Sequence, residues 1–316
     1  MADSLHLGID QPARPLELGR CTVYVGTCSW ADANFVKEGA FYPRGVRNDP
    51  EGRLRFYSTV FPTVEVDATY HALQPPDRAA KWVQWTPPGF IFNVKAFSLF
   101  TWHETDPRRL PPEVQSLLPP DLAQSGEAGA SQLPEEALHA CWDYFAAFVG
   151  QFVKSGRLGH VLFQFPKGRG YTPDLFAHLD RWEPYLRSWP IAVEIRHREW
   201  LEGRARTELL SYLRARNYAY VIPDMIQQAY LPPSDVEVTA PWTVVRFHGR
   251  NPAMIERRAP TNRVYDYAYS VEELQPWVDT VKELSGEVER AYLLFNNHYR
   301  GQSARNAREI STLLRE

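Results

Sequence analysis

The chain has 316 residues, 44% hydrophobic and 23% charged, with 35 Lys and Arg against 38 Asp and Glu for a net charge of −3. This composition excludes wholesale disorder, and a slightly acidic chain lacks the overall positive field of a non-specific nucleic-acid binder. Cys21, Cys28 and Cys141 have no C-x-x-C spacing, so neither a disulfide framework nor a zinc ribbon is expected. No run of roughly 18 apolar residues occurs, and the opening MADSLHLGIDQPARPLEL has no basic-then-apolar leader. A cytoplasmic protein with no membrane partner is expected.

Runs rich in β-branched and aromatic residues alternate with helical patterning. In chain order the expected strands are 22–29, 63–70, 90–97, 160–166, 191–197, 218–223, 243–248 and 291–297. Helices are expected over 135–154, after the Thr172-Pro173 start signal, over 206–216, from the Ser270–Glu273 capping box to about Leu284, and over 303–314. Eight strands alternating with helices predict one (β/α)8 TIM-type barrel of parallel strands over 21–316, behind an N-terminal extension, 1–20. A doubly wound sheet is the alternative. It lacks a dinucleotide fingerprint, because Pro173 stands where a third glycine would follow Gly168 and Gly170. A long insertion, 98–134, separates strands three and four. Its Pro-rich and small-residue part, 106–131, reads either as a mobile lid over the mouth or as a tolerated surface loop.

Strands of a parallel sheet are usually apolar on both faces, but these alternate. Glu65 and Asp67, Asn93 and Lys95, Glu194 and Arg196, and Arg246 and His248 fall on one face, with Val64, Val66, Val193, Ile195, Val245 and Phe247 on the other. The apolar face must meet the helices, so the polar face points into the barrel, joined by Gln164, Asp224 and Asn296. Most lie late in their strands, where barrel active sites form. Four carboxylates (Glu65, Asp67, Glu194, Asp224) against three fixed cations (Lys95, Arg196, Arg246) leave one net negative charge. The two readings are a self-neutralising network that fills the barrel and a polar site for a small anionic ligand. Such buried pairs are near break-even for stability, which favours the site.

Within it, Glu194 and His248 are the acid/base candidates, with Asp224 and Lys95 as further catalytic candidates. Lys95 reads as an anion contact or, if neutral, a Schiff-base nucleophile. Arg196 and Arg246 suit a carboxylate or phosphate. Arg246 is expected at the mouth, with Gly249 allowing close backbone approach to an oxyanion. Glu65, Asp67, Gln164 and Asn296 complete the substrate-binding set, and Trp30 and Tyr70, with Trp102, Trp200 and Tyr299, offer rings near strand exits. Glu65, Asp67, Glu194, Asp224 and His248 are mostly oxygen donors, which would suit Mg or Mn. No metal ligand set is assigned. A metal-dependent nucleic-acid phosphodiesterase is the rival enzyme class, with a rim of Arg44, Arg47, Arg53 and Arg55 or of Arg204, Arg206, Arg214 and Arg216. A non-catalytic ligand-binding or scaffold protein is the third reading.

Val25-Gly26-Thr27-Cys28-Ser29-Trp30, then Phe41-Tyr42-Pro43, VEVDATYH, Trp85-Thr86-Pro87, FIFNVKAF, LFQFP, AVEIRHREW, VRFHGR and LLFNNH occur in the order found in one family. From about Val23 to Leu314 the chain resembles the YecE-like family (domain of unknown function 72). The resemblance implies a (β/α)8-type barrel and supplies no reaction. Ser29 replaces a glycine common before this tryptophan, and His71 follows Tyr70 where Phe-Tyr is common.

Overall fold

The computed structural model describes residues 12–37, 41–256 and 260–316. Residues 1–11 of the expected N-terminal extension lie outside these. A short strand, β1 (Leu16–Leu18), pairs antiparallel with β2 (Cys21–Thr27), Leu16 opposite Val23. The parallel strands β3 (Thr63–Val66), β4 (Ile91–Lys95), β5 (Leu158–Gln164), β6 (Ile191–Glu194), β7 (Ala219–Met225), β8 (Trp242–Gly249) and β9 (Arg290–Phe295) follow in spatial order. β9 returns to β2 in register, Thr22 opposite Arg290 through Thr27 opposite Phe295, so the sheet closes into the expected eight-stranded barrel.

The alternation decides which side chains fill the barrel. Val64, Val66, Val193, Ile195, Val245 and Phe247 join the large core shared with the helices. Leu162, Ala192, Val221, Val244, Tyr292 and Leu294 form a separate inner cluster. At the floor, Tyr24 stacks on Tyr292 at 5.2 Å and His160 stacks on Trp242 at 5.5 Å. Neither nitrogen of His160 has a hydrogen-bond partner among the described residues. Burial pulls its pKa down to about 3, so the imidazole is neutral.

The helices start where the sequence signals them. Ser270 Oγ accepts from Glu273 N (3.3 Å) and Glu273 Oε2 accepts from Ser270 N (3.0 Å), opening the helix Val271–Leu284. The helix Glu135–Lys154 matches its expected bounds and buries Leu138, Cys141, Trp142, Phe145, Phe148, Val149 and Phe152, a stripe at spacings of three and four. Each such side chain contributes about 1.5–3 kcal/mol on burial. Trp142 stacks on Phe100 of the insertion at 3.8 Å, tying the insertion to this helix.

Four features differ from the expectation. Residues 226–241, between β7 and β8, contain no helix. Pro232, Pro233 and Pro241 deny that segment a helical run. Instead Thr239 Oγ1 accepts from Tyr220 N and donates to Tyr218 O, both at 2.7 Å. Second, β3 stops at Val66. Asp67 turns into the helical region (φ −77°, ψ −22°), and Tyr70 lies in the turn Ala68–His71 rather than on a strand. Thr69 Oγ1 fixes that turn against Val66 O (2.8 Å) and Lys95 O (2.6 Å). Third, the insertion carries short helices at Pro112–Gln115 and Pro120–Ala123 and a Thr105–Ala128 bridge, with Leu110, Val114 and Ala128 buried. Its buried side chains belong to the large core that the helices share with the barrel, so it is a built wall. Fourth, Gly249 has φ +83°, its N donates to Tyr269 Oη at 2.9 Å, and an added Cβ would lie 2.8 Å from Tyr267 Cβ. Turn conformation and Tyr267 packing each require glycine there.

Candidate active site at the barrel mouth

Arg246, from β8, is the centre of the upper barrel and is fully buried. Its Nη2 donates to Glu65 Oε1 at 2.6 Å, and its Nη1 donates to Gln164 Oε1 at 3.0 Å and to Glu194 Oε2. Cys28 Sγ lies 3.6 Å from Nη2. A guanidinium gripped by two carboxylates beneath the mouth is not presented to an incoming anion. The expected oxyanion contact by Arg246 is therefore replaced by a structural role.

The two carboxylates on Arg246 differ because their donors differ. Burial opposes ionisation of Glu194, but Arg246, His248 and Arg196 together hold it well below the usual carboxylate range. Burial pushes Glu65 up, and Arg246 and Lys95 offset only part of this. Glu65 Oε2 has no partner among the described residues. Glu194 is thus a fixed anion, poorly suited to donate or accept a proton near neutral pH.

His248 is also fully buried, with Nε2 3.1 Å from Glu194 Oε1 and Nδ1 3.1 Å from Asn296 Nδ2. The Asn296 amide donates to Nδ1, which leaves the ring proton on Nε2, facing Glu194. Burial outweighs the attraction of Glu194 and lowers the pKa to about 3, so His248 is neutral; Nδ1 is engaged by Asn296, while Nε2, close to Glu194, has no well-aligned hydrogen bond among the described residues. It packs beside Glu194 and does not titrate near neutrality.

Above this base lie the groups that face the opening. Arg196 is 4% exposed, donates from Nη1 to Glu194 Oε1 at 2.8 Å, and has a buried Nε–H without a partner among the described residues. Lys95 Nζ donates to Asp67 Oδ1 at 2.9 Å and sits 4.3 Å from the Tyr70 ring centroid. Burial opposes the Lys95 charge, but Asp67 and Glu65 keep its pKa above the ordinary lysine value, which disfavours a Schiff-base nucleophile. Burial likewise opposes Asp67, yet Lys95 and His71 hold it below the usual carboxylate range.

Two residues outside the expected set join the mouth. Lys167, in the loop after β5, donates to Met254 O at 3.3 Å, and burial with the nearby Arg196 charge lowers it to about 8. His103, from the insertion, meets the Tyr70 ring at 5.2 Å; burial and Lys95 lower it to about 4.

Two expected residues leave the site. Asp224 pairs in register with the outward-facing Phe247, so it faces the helix layer, where it accepts from Tyr269 Oη (2.7 Å), Trp277 Nε1 (2.7 Å) and Arg250 (2.6 Å). Counting alternately from the inward Val221 gives the same answer. Trp30 is 7% exposed and packs edge-on against Trp82 at 4.8 Å, in the helix-facing core. The mouth then holds three carboxylates (Glu65, Asp67, Glu194) and four cations (Lys95, Lys167, Arg196, Arg246). One net positive charge replaces the negative one expected from sequence.

The donors do not fit the Mg or Mn considered from sequence. Among the described residues no three His, Cys, Asp or Glu side chains converge as metal ligands, and the Arg246 guanidinium occupies the space between Glu65 and Glu194. Much of the proposed nucleic-acid rim is already engaged. Arg204 pairs with Glu208, Arg206 and Arg214 with Glu237, Arg216 with Asp180 and Arg55 with Glu51, while Arg53 and Arg47 donate to backbone carbonyls. No helix among the described residues is long and apolar enough to cross a membrane.

The family model described as "Protein of unknown function DUF72" matches residues 24–316. The chain belongs to the DUF72 family. It is 28% identical over 298 residues to UPF0759 protein YunF of Bacillus subtilis (strain 168), covering 92% of this chain and 94% of that protein. A DUF72 family protein of Thermotoga maritima MSB8 (TM1631) superposes with a TM-score of 0.71 at 27% identity, over 93% of this chain and 99% of that one. The DUF72 protein EF0366 of Enterococcus faecalis V583 gives 0.72 at 22% identity, over 93% and 96%, a likeness of fold. The barrel is thus shared with the two solved DUF72 structures, and none of these descriptions assigns a reaction.

Proposed function

We propose that this barrel is an enzyme, a hydrolase or lyase, acting on a small anionic or phosphorylated polar substrate at the C-terminal mouth. The supporting observation is the excess positive charge there, centred on Arg196 with its buried, unpartnered Nε–H. An anion would both neutralise the excess and supply Arg196 with an acceptor. Lys95 and Lys167 flank it, while Glu65, Arg246, Glu194 and His248 form a rigid base that fixes the direction of Arg196. Proton transfer falls to Lys167, because its amine titrates near pH 8 and can exchange a proton at working pH. The free, buried thiols of Cys21, Cys28 and Cys141 suit a reducing, cytoplasmic setting.

The metal-dependent phosphodiesterase is less well supported, since its carboxylates already hold cations. The test is mass spectrometry of small molecules released from natively purified wild-type and Arg196→Gln protein. Release of a phosphate- or carboxylate-bearing compound from wild type, depleted in the variant, is expected. Equal retention by both, or retention of neutral compounds only, would overturn the assignment.

A further inference from the structure

Beside the mouth lies a cleft of about 520 Å³ between the insertion and the loop after β5, lined by residues that include Trp102, His103, Glu104, Arg169, Asp174 and Arg181. It opens onto the mouth through His103, whose ring also meets Tyr70. Its most unusual residue is Trp102. The turn Ser98–Thr101 ends with Trp102 in the left-handed region (φ 63°, ψ 18°), its backbone N donating to Ser98 O. Glycine or asparagine serves that conformation best, and a bulky side chain there is strained. The turn itself has no use for an indole.

The surroundings fix the ring instead. It meets Phe165 edge-on at 5.1 Å and His178 at 5.6 Å, and the Arg169 guanidinium lies 5.4 Å from its centroid. Around it lie two carboxylates (Glu104, Asp174) and two guanidinium groups (Arg169, Arg181), so both signs line the cleft without the cationic excess of the mouth next door. Arg181 is held from outside by Glu135. Among the described lining residues there is no second Trp, Tyr or Phe to sandwich a planar base. A cleft with one ring platform, ringed by planar donors and acceptors, matches a ring compound bearing hydroxyl groups.

We infer that this cleft holds the sugar ring of a phosphorylated monosaccharide whose phosphate sits at Arg196, Lys95 and Lys167. This deepens the reading above and rests on it. It also gives the insertion a role, as the wall that closes the sugar site on the side of Glu104 and residues 129–132.

Calorimetric titration of the full chain with inorganic phosphate and with a panel of aldose and ketose pentose and hexose phosphates tests it. At least one sugar phosphate should bind tenfold or more tightly than phosphate. Trp102→Ala should remove that advantage while leaving phosphate affinity within about twofold. Trp102→Gly, which relieves the left-handed backbone, serves the same purpose if the alanine variant folds poorly. If phosphate binds and no sugar phosphate binds better, the sugar site is wrong and the anion site stands. A preference that survives Trp102→Gly also places the sugar elsewhere and overturns the inference. If neither phosphate nor any sugar phosphate binds, the anion site itself fails.

Discussion

Replacing Arg246 with alanine removes the one guanidinium between Glu65 and Glu194. The two carboxylates do not suffer equally. Glu194 keeps Arg196 Nη1 at 2.8 Å and His248 Nε2 at 3.1 Å. Glu65 has one hydrogen-bond donor among the described residues, Arg246 Nη2, and its other oxygen is already unpartnered. Breaking a buried pair by removing one partner costs about 3–5 kcal/mol, a large part of the roughly 5–15 kcal/mol that holds a domain folded. The sign of the pH effect follows from Glu65. Its folded pKa, already raised by burial, rises further without Arg246, so the native state takes up a proton before the unfolded chain does. The deficit should be full above that folded pKa and shrink as pH falls through it. Urea unfolding at pH 7 and pH 5 measures both, and Glu65→Gln with Arg246→Met should recover at least half the loss by removing the charge with its partner. A loss under about 1 kcal/mol for Arg246→Ala at pH 7, or no recovery in the double variant, would refute Arg246 as the structural centre of the barrel.

Other consequences are separately measurable. His160 and His248, both held near pKa 3, are neutral when folded and protonate when unfolded, so stability is present above about pH 6.5 and falls as pH drops toward 3. At pH 5 each contributes a loss of roughly 2 kcal/mol, and His160→Phe should leave stability at pH 7 unchanged or higher while reducing the acid loss. Equal acid loss in that variant would contradict the neutral-histidine account. Burial pushes Cys141 up to about 12 and Cys28 well above its ordinary value, so no thiol should react with a disulfide reagent until denaturant is added. Reductive methylation with carbon-13 and NMR titration should show one lysine near pH 8 that disappears in Lys167→Arg. All lysines titrating near 10.5 would remove Lys167 from the proton-transfer role.

The barrel is legible because its polar face is so unlike its apolar one. Glu65, Lys95, Glu194, Arg246 and His248 alternate with valine, isoleucine and phenylalanine, and a period of two has only one packing solution once helices cover the outside. What fails is what alternation within one strand does not encode. Position near a strand end points Asp224 inward, although the same parity counted from Val221 puts it outward. Its partners Tyr269 and Trp277 come from a distant segment. Lys167 lies beyond its strand, and its depressed pKa depends on burial and on Arg196, just beyond the end of β6. Alternation points Arg246 inward, where it lies, but depth along the barrel, which separates structural base from ligand contact, is a property of the closed sheet and not of one strand. The missing helix at 226–241 did have a signal, in Pro232, Pro233 and Pro241.

The mouth is expected to bind an anion through Arg196 and not through Arg246. Calorimetric titration of inorganic phosphate into wild type and Arg196→Gln, with urea unfolding of both, tests it most directly. Roughly 10- to 150-fold weaker binding is expected in the variant, the scale of a lost charge-assisted hydrogen bond of about 1.5–3 kcal/mol, with stability changed far less than by Arg246→Ala. Phosphate binding equally well to wild type and Arg196→Gln, or binding to neither, would contradict it.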